Sequence, residues 1–350
     1  MSQTLDAPPA PPQDERVARK SLLTRLLGRP EIGALVGAIV IYIFFFIVAT
    51  PFRDTSALAT ILYASSTIGI PATGVALLMI GGEFDLSAGV AVTAAALVAS
   101  LTSYQLSANV WVGILISLIV ALAIGAANGY LLIKTGIPSF LVTLGTFFML
   151  AGLNLAVTRM VSGGVASPNI GDIDGFDAAA AVFASDFTIA GVNIRITLVW
   201  WLIFVALATW VLLRTHIGNW IFAVGGSDAS ARAVGVPVAA VKIGLFMVVA
   251  FCAWFTGMHI LFEFNTVQSG QGVGNEFYYI IAAVVGGCLL TGGYGSAIGA
   301  AIGALIYGMT TQGIVYAGWN PDWFKFFFGA LLLGAILLNN YVRRRAVATK

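Results

Sequence analysis

Charge is the scarcest ingredient of this 350-residue chain: Asp, Glu, Lys and Arg together make up 9% of it, against roughly 25% in soluble domains. A water-facing surface cannot be built from so little charge, so a soluble globular protein is excluded. Cysteine is almost as rare, with only Cys252 and Cys288, each inside an apolar run. That excludes a disulfide framework and a cysteine-based metal centre. His216 and His259 have no second ligand at metal-binding spacing, and both read as structural. The chain also lacks a G-x-x-x-x-G-K-[ST] phosphate loop, an H-E-x-x-H pair and a G-x-S-x-G elbow. It therefore carries no ATPase, zinc-protease or serine-hydrolase signature of its own. Nor do Asp, Glu and His recur along the apolar runs as a proton relay requires. This disfavours a gradient-driven carrier, although sodium sites made of backbone carbonyls leave no such trace.

What the chain does have is apolar length. Hydrophobic residues make up 59% of it, and 40 glycines are scattered among them. Small residues let helix backbones approach closely inside a membrane. Apolar runs recur at about 32–50, 57–80, 86–103, 110–133, 138–158, 194–213, 240–262, 277–291, 296–317 and 324–341. Several approach the ~20 residues that cross a bilayer as helix, whereas a porin-type barrel needs alternating segments of roughly 10. The expected class is an all-α polytopic membrane protein of about ten spans, the eighth being short.

With the N-terminus inside, thirteen basic residues fall on the cytoplasmic side, among them Arg16, Lys20, Lys134, Arg214, Lys242 and Arg343. Only Arg53, Arg159, Arg195 and Lys325 fall outside. That bias places both termini in the cytoplasm. Residues 1–30 read as a partly disordered cytoplasmic tail with a short interfacial helix near "SLLTRLLGR". Residues 31–342 form the membrane domain, and 343–350 a basic cytoplasmic tail. The lipid bilayer is thus one partner, and no nucleic-acid signature is present.

Two loops are long. The outer one, 159–193, carries four Asp and no Lys. The inner one, 214–240, contains a short helix over Ser227–Val234, started by Ser/Asp capping and stopped at Gly235 before Pro237. In "LMIGGEFDLSAG", Glu83, Asp85 and Ser87 interrupt an apolar run at an inner turn. Gly81 or Gly82 can end the incoming helix in the left-handed conformation, and Asp85 can cap the outgoing one. Glu83 has no such simple role, which leaves a gating or partner contact open. In the fifth run, Ser139, Thr143, Thr146 and Asn154 fall within roughly 80° of one another on a helical wheel. Such a stripe faces either neighbouring helices or a water-filled path, and Asn128 on the fourth run offers the same choice. Neutral hydroxyls and amides suit a neutral polyhydroxylated ligand better than an ion. "GAAIG" (299–303) is a helix-packing face, and Trp111, Trp319 and Trp323 read as interfacial anchors. A faint internal repeat pairs Gly81-Gly82 with Gly292-Gly293, both at inner turns.

Four blocks in order resemble the permease subunits of bacterial ATP-binding-cassette importers for monosaccharides, the ribose-type family related to branched-chain amino-acid permeases. They are "GGEFDLSAG", "NGYLLIKTGIPSFLVTLGT", "FAVGGSDASARAVGVPVAAVK" and "GGCLLTGGYGSAIGAAIGALI". The resemblance covers about residues 32–342 and implies a helical permease bundle in the bacterial inner membrane. The implied partners are a second permease copy, commonly identical, two cytoplasmic ATPases that hydrolyse the ATP, and a periplasmic sugar-binding protein. It also implies that Gly225, Gly226, Ser227, Asp228, Ala231, Arg232 and Gly235 form the region that couples to the ATPase. Asn219 stands where the family often has Arg, Ser227 where it often has Asn, and Glu83 adds a charge beside the usual Asp. A translocation path lined by neutral polar groups, with Asn128, Ser139, Thr143, Thr146 and Asn154 as its lining, completes the expectation.

Overall fold

The computed structural model describes residues 30–106 and 109–348, with side chains described for 31–106 and 109–337. The expected interfacial helix at 21–29 lies outside the described residues. Among the described residues, thirteen helices carry nearly all of the regular structure. In chain order they are α1 Pro30–Val48, α2 Thr55–Ile80, α3 Ala88–Leu106, α4 Val110–Thr135, α5 Ser139–Ser162, α6 Phe176–Phe183, α7 Ile196–Arg214, α8 His216–Gly226, α9 Asp228–Ala233, α10 Val238–Phe264, α11 Asn275–Val285, α12 Ala297–Tyr316 and α13 Trp323–Ala348. A 3₁₀ turn, Thr50–Arg53, and a hairpin, β1 Asp186–Ile189 with β2 Val192–Arg195, complete the set among the described residues.

Among the described residues, eight helices are long and apolar enough to cross a membrane. They coincide with eight of the ten apolar runs. The run at 277–291 instead forms α11, which has 11 residues and so a length of about 16 Å at 1.5 Å per residue. Gly286, which caps α11, and Gly287 in the left-handed conformation at φ 94° end it early. The tenth run lies in α13, whose described apolar stretch is Trp323–Leu337. Its helical backbone continues to Ala348, through residues that the sequence assigned to a tail.

The spans form two layers. Most of α2, α3, α10 and α12 is buried, while α1, α5 and α7 face mainly outward. Small residues set this order. Gly125 and Gly129 of α4 meet α10 so closely that an added Cβ at Gly129 would lie 2.7 Å from Ile243 Cα. Gly299 and Gly303 of α12 press in the same way on Gly286 and Ala282, the helix contact expected for "GAAIG".

The outer segment 159–193 contains more structure than a loop. It includes α6 and most of the hairpin, whose two-residue turn Ala190-Gly191 has φ of 50° and 80°. Positive φ at both positions is the type I′ turn that suits strand twist. Phe183 packs into the aromatic group of Trp254, Phe255 and Phe262 on α10 and so seats this outer cap on the bundle. His259 is fully partnered beneath it: Nδ1–H donates to Phe183 O at 2.9 Å, leaving Nε2 to accept from Tyr63 Oη at 3.0 Å. Arg195 closes the same end through Glu263 at 2.9 Å.

Candidate functional site

The chain does not pass from α2 to α3 at the surface. Helix α2 stops at Ile80. Gly81 and Gly82 then cap it, with Gly82 at φ 86° and Glu83 N–H donating to Leu78 O at 3.2 Å. Residues 83–85 are irregular, and Glu83, Asp85 and Ser87 are all buried. Non-helical backbone of this kind persists at membrane depth only where protein surrounds it. The α5 stripe supplies that surround. Phe84 N–H donates to Ser139 Oγ at 3.1 Å and Leu86 N–H to Thr143 Oγ at 3.0 Å. Thr146 Oγ1 donates to Asn128 Oδ1 at 2.6 Å, and Asn128 Nδ2 donates to Ser87 Oγ at 3.2 Å. Asn154 Nδ2 donates to Val90 O at 3.2 Å. Ser87 completes the group by donating both N–H and O–H to Asp85 Oδ1, at 2.7 and 2.6 Å. Asp85 thus forms a turn with Ser87 immediately before α3.

All five polar groups that the sequence offered to a translocation path are therefore buried and turned towards segment 84–90. Their geometry is that of a scaffold, because the hydrogen bonds a ligand would use are made to the protein. A separate groove of about 660 Å³ between α2, α7, α8 and α10 is walled mainly by apolar side chains such as Trp200, Phe204, Phe251 and Phe255.

The inner loop holds the second half of the site. Helix α8 starts at Thr215, whose hydroxyl accepts from Gly218 N–H, and ends at Ser227. Ser227 Oγ then accepts from Ser230 N–H to start α9, and Gly235, at φ 84°, follows it. Of the seven residues assigned to coupling, Gly226, Ser227, Arg232 and Gly235 are exposed and Asp228 is partly so. Gly225 and Ala231 turn inward, and Ala231 is 2% exposed. Ala231 anchors α9, while the exposed set, joined by Val234, offers a free surface.

The two halves meet in two ways. The first is bare backbone: Gly225 is wedged between Ile80 and Gly293, so a Cβ there would lie 2.6 Å from Gly293 N. Gly293 N–H donates to Ile80 O at 2.8 Å. The Gly-Gly pairs 81–82, 225–226 and 292–293 thus converge at one joint. The repeat aligns differently from the sequence expectation. Gly81-Gly82 matches Gly286-Gly287 in capping geometry, since Cys288 N–H donates to Ala283 O as Glu83 N–H does to Leu78 O. Four more residues separate that pair from the next helix, which disguised the match.

The second contact is ionic. Lys242 Nζ lies 2.5 Å from Glu83 Oε1 and 2.5 Å from Asp228 Oδ2. The Lys and Glu side chains are 8% and 10% exposed, the Asp side chain 41%. Sequence reasoning placed Lys242 among the inner-loop cations and left Glu83 without a role. The signal was present in the excess carboxylate at the turn, but its partner is 159 residues away. Removing one member of a buried pair typically costs about 3–5 kcal/mol, because the other charge is left uncompensated.

A profile of the family described as the permease component of branched-chain amino-acid transport systems matches residues 57–336. The chain belongs to this permease family. It is 31% identical to the galactose/methyl galactoside import permease protein MglC of Escherichia coli K12, over 93% of this chain and 98% of that one. It is 31% identical to the ribose import permease protein RbsC of the same strain, over 81% and 85%, and 29% identical to the probable ABC transporter permease protein YphD, over 97% of each. No solved structure matches. Family membership makes the chain a multi-pass membrane permease component rather than an enzyme.

Proposed function

We propose that this permease imports a monosaccharide or similar neutral polyol across the bacterial inner membrane, by alternating access driven by ATPases that are separate chains. The sugar relatives carry the substrate class, because the family's own description names branched-chain amino acids. The geometry supports the driven mechanism through one observation. A short capped helix, α9, projects an exposed face on the cytoplasmic side and is joined by charge, through Asp228 and Lys242, to a buried break between two spans that α8 touches by backbone. In this reading the ATPase seats on Gly226, Ser227, Arg232, Val234 and Gly235, while Gly225 and Ala231 hold α9 to the bundle. A periplasmic binding protein delivers substrate to the outer face that includes 159–193. The path runs between this chain and a second, identical copy. Asn128, Ser139, Thr143, Thr146 and Asn154 then act one layer behind the path wall by holding the 84–90 segment in place. ATP is used by the partner, and no cofactor is assigned to this chain.

The test is purification of the tagged chain from its own membrane in mild detergent, with mass spectrometry of what accompanies it. An ATPase carrying a phosphate loop supports the reading; a chain that transports alone refutes it. Asp228→Ala and Arg232→Ala should each abolish uptake of radiolabelled galactose or ribose while leaving a monodisperse protein.

A further inference from the structure

The ion pair at Lys242 has a property that a simple cross-link lacks: its two halves differ in what happens when they part. Asp228 is the first residue of α9 and its side chain is 41% exposed, whereas Glu83 and Lys242 are 10% and 8% exposed. If α9 moves off the bundle, water takes up the Asp228 carboxylate, and Lys242 stays paired with Glu83 as a neutral, buried unit. Parting Glu83 from Lys242 instead would leave the Glu83 carboxylate buried without a counter-charge. The close glycine contact of Gly82 with Gly225 belongs to α8, which ends at Gly226, so α9 can move without parting it.

We propose that Lys242 is the positioning residue through which α9 acts on the 81–87 break, holding Glu83 permanently and Asp228 only while α9 is seated. This deepens the importer reading and rests on it. With α9 seated, Lys242 is shared between two carboxylates and drawn towards α9. With α9 displaced, its charge goes to Glu83 alone, and the turn carrying Glu83 tightens on α10. Glu83 lies four residues before Ser87, so that change reaches the hydrogen-bonded group of Asp85, Ser87, Asn128 and Thr146 at the start of α3. Asp228 is the separable contact and Glu83 the retained one.

Hydrogen–deuterium exchange on the whole importer complex, with and without ATP, tests this without knowing the substrate. In the unaltered chain, ATP should change exchange both in α9 and at amides 81–87. The latter change should be about tenfold, the scale of one charge-assisted hydrogen bond. The key variant is Lys242→Met with Glu83→Gln, which removes both buried charges together and leaves Asp228 solvated. Here α9 should still respond to ATP while 81–87 falls silent, and ATP hydrolysis should continue with uptake lost. Lys242→Arg keeps the cation between the two carboxylates and should restore the response at 81–87. A response at 81–87 that persists in the double variant would overturn the proposal. So would a double variant that no longer binds the ATPase, which would make Lys242 a docking residue, or an unaltered complex silent at 81–87. If no ATPase accompanies the unaltered chain, the importer reading itself fails, and the proposal falls with it.

Discussion

Thr143→Val isolates the claim that the α5 stripe serves as a scaffold. Valine keeps the branched shape of threonine and replaces only the hydroxyl, so packing against the neighbouring helices is nearly preserved. What is lost is the acceptor for Leu86 N–H, now 3.0 Å away. Thr143 is fully buried, so no water replaces that acceptor. The Thr143 hydroxyl also back-bonds to Ser139 O at 2.9 Å, but helix α5 keeps its own ladder without it. A buried donor left unsatisfied costs about 1–3 kcal/mol. If opening of the 84–87 segment exposes Leu86 N–H to water, that cost is removed in the open state, and opening becomes easier by the same amount. At 1.4 kcal/mol per tenfold, amides 84–87 should exchange with deuterium roughly 5- to 150-fold faster than in the parent. Exchange in the middle of α10 should be unchanged. Thr143→Ser keeps the hydroxyl and should exchange at close to the parent rate. Equal exchange in the parent and in Thr143→Val would refute the scaffold role, and the stripe would return to being a possible wall for substrate.

Other expectations follow from single contacts. Gly225→Ala puts a Cβ against Gly293 and Ile80, so it should lower the yield of monodisperse protein in detergent; size-exclusion chromatography reads the result, and unchanged yield would show that the three-pair joint is loose. Ala190→Asn eases a left-handed residue in the type I′ turn and should raise stability by about 0.5–1 kcal/mol, read as a small upward shift in thermal unfolding. Tyr63→Phe removes the donor to His259 Nε2 and should destabilise the outer end by about 1 kcal/mol, seen as faster exchange in α6 and the hairpin.

The elements most legible in the sequence are those whose cause is local. The long spans follow from apolar run length, and the limits of α9 from Ser227 and Gly235. The end of α2 follows from a glycine that must take positive φ. The polar stripe on α5 was also legible, but its partner was not. Ser139 and Thr143 bind backbone N–H groups 55 and 57 residues away, and backbone donors leave no mark in a sequence. The same distance hid Lys242, which looks like any inner-loop cation until α10 places it beside Glu83. The hairpin was missed because Ala190-Gly191 is an unremarkable pair inside an apolar stretch. Helix α11 is short, as expected for the eighth run, but it ends before that run does, because apolar residues continue past Gly287 and the helix does not.

The joint of three glycine pairs has a mechanical consequence. Contacts made by side chains have slack, since a leucine or a lysine can change rotamer and absorb an ångström of displacement before its neighbour feels anything. At Gly82, Gly225 and Gly293 there is no rotamer to change, and peptide groups rest directly on peptide groups. Backbone geometry is stiff, so the three inner turns keep their spacing as one body. A stiff hub of this kind gives the Lys242 pairing a frame against which a small shift registers.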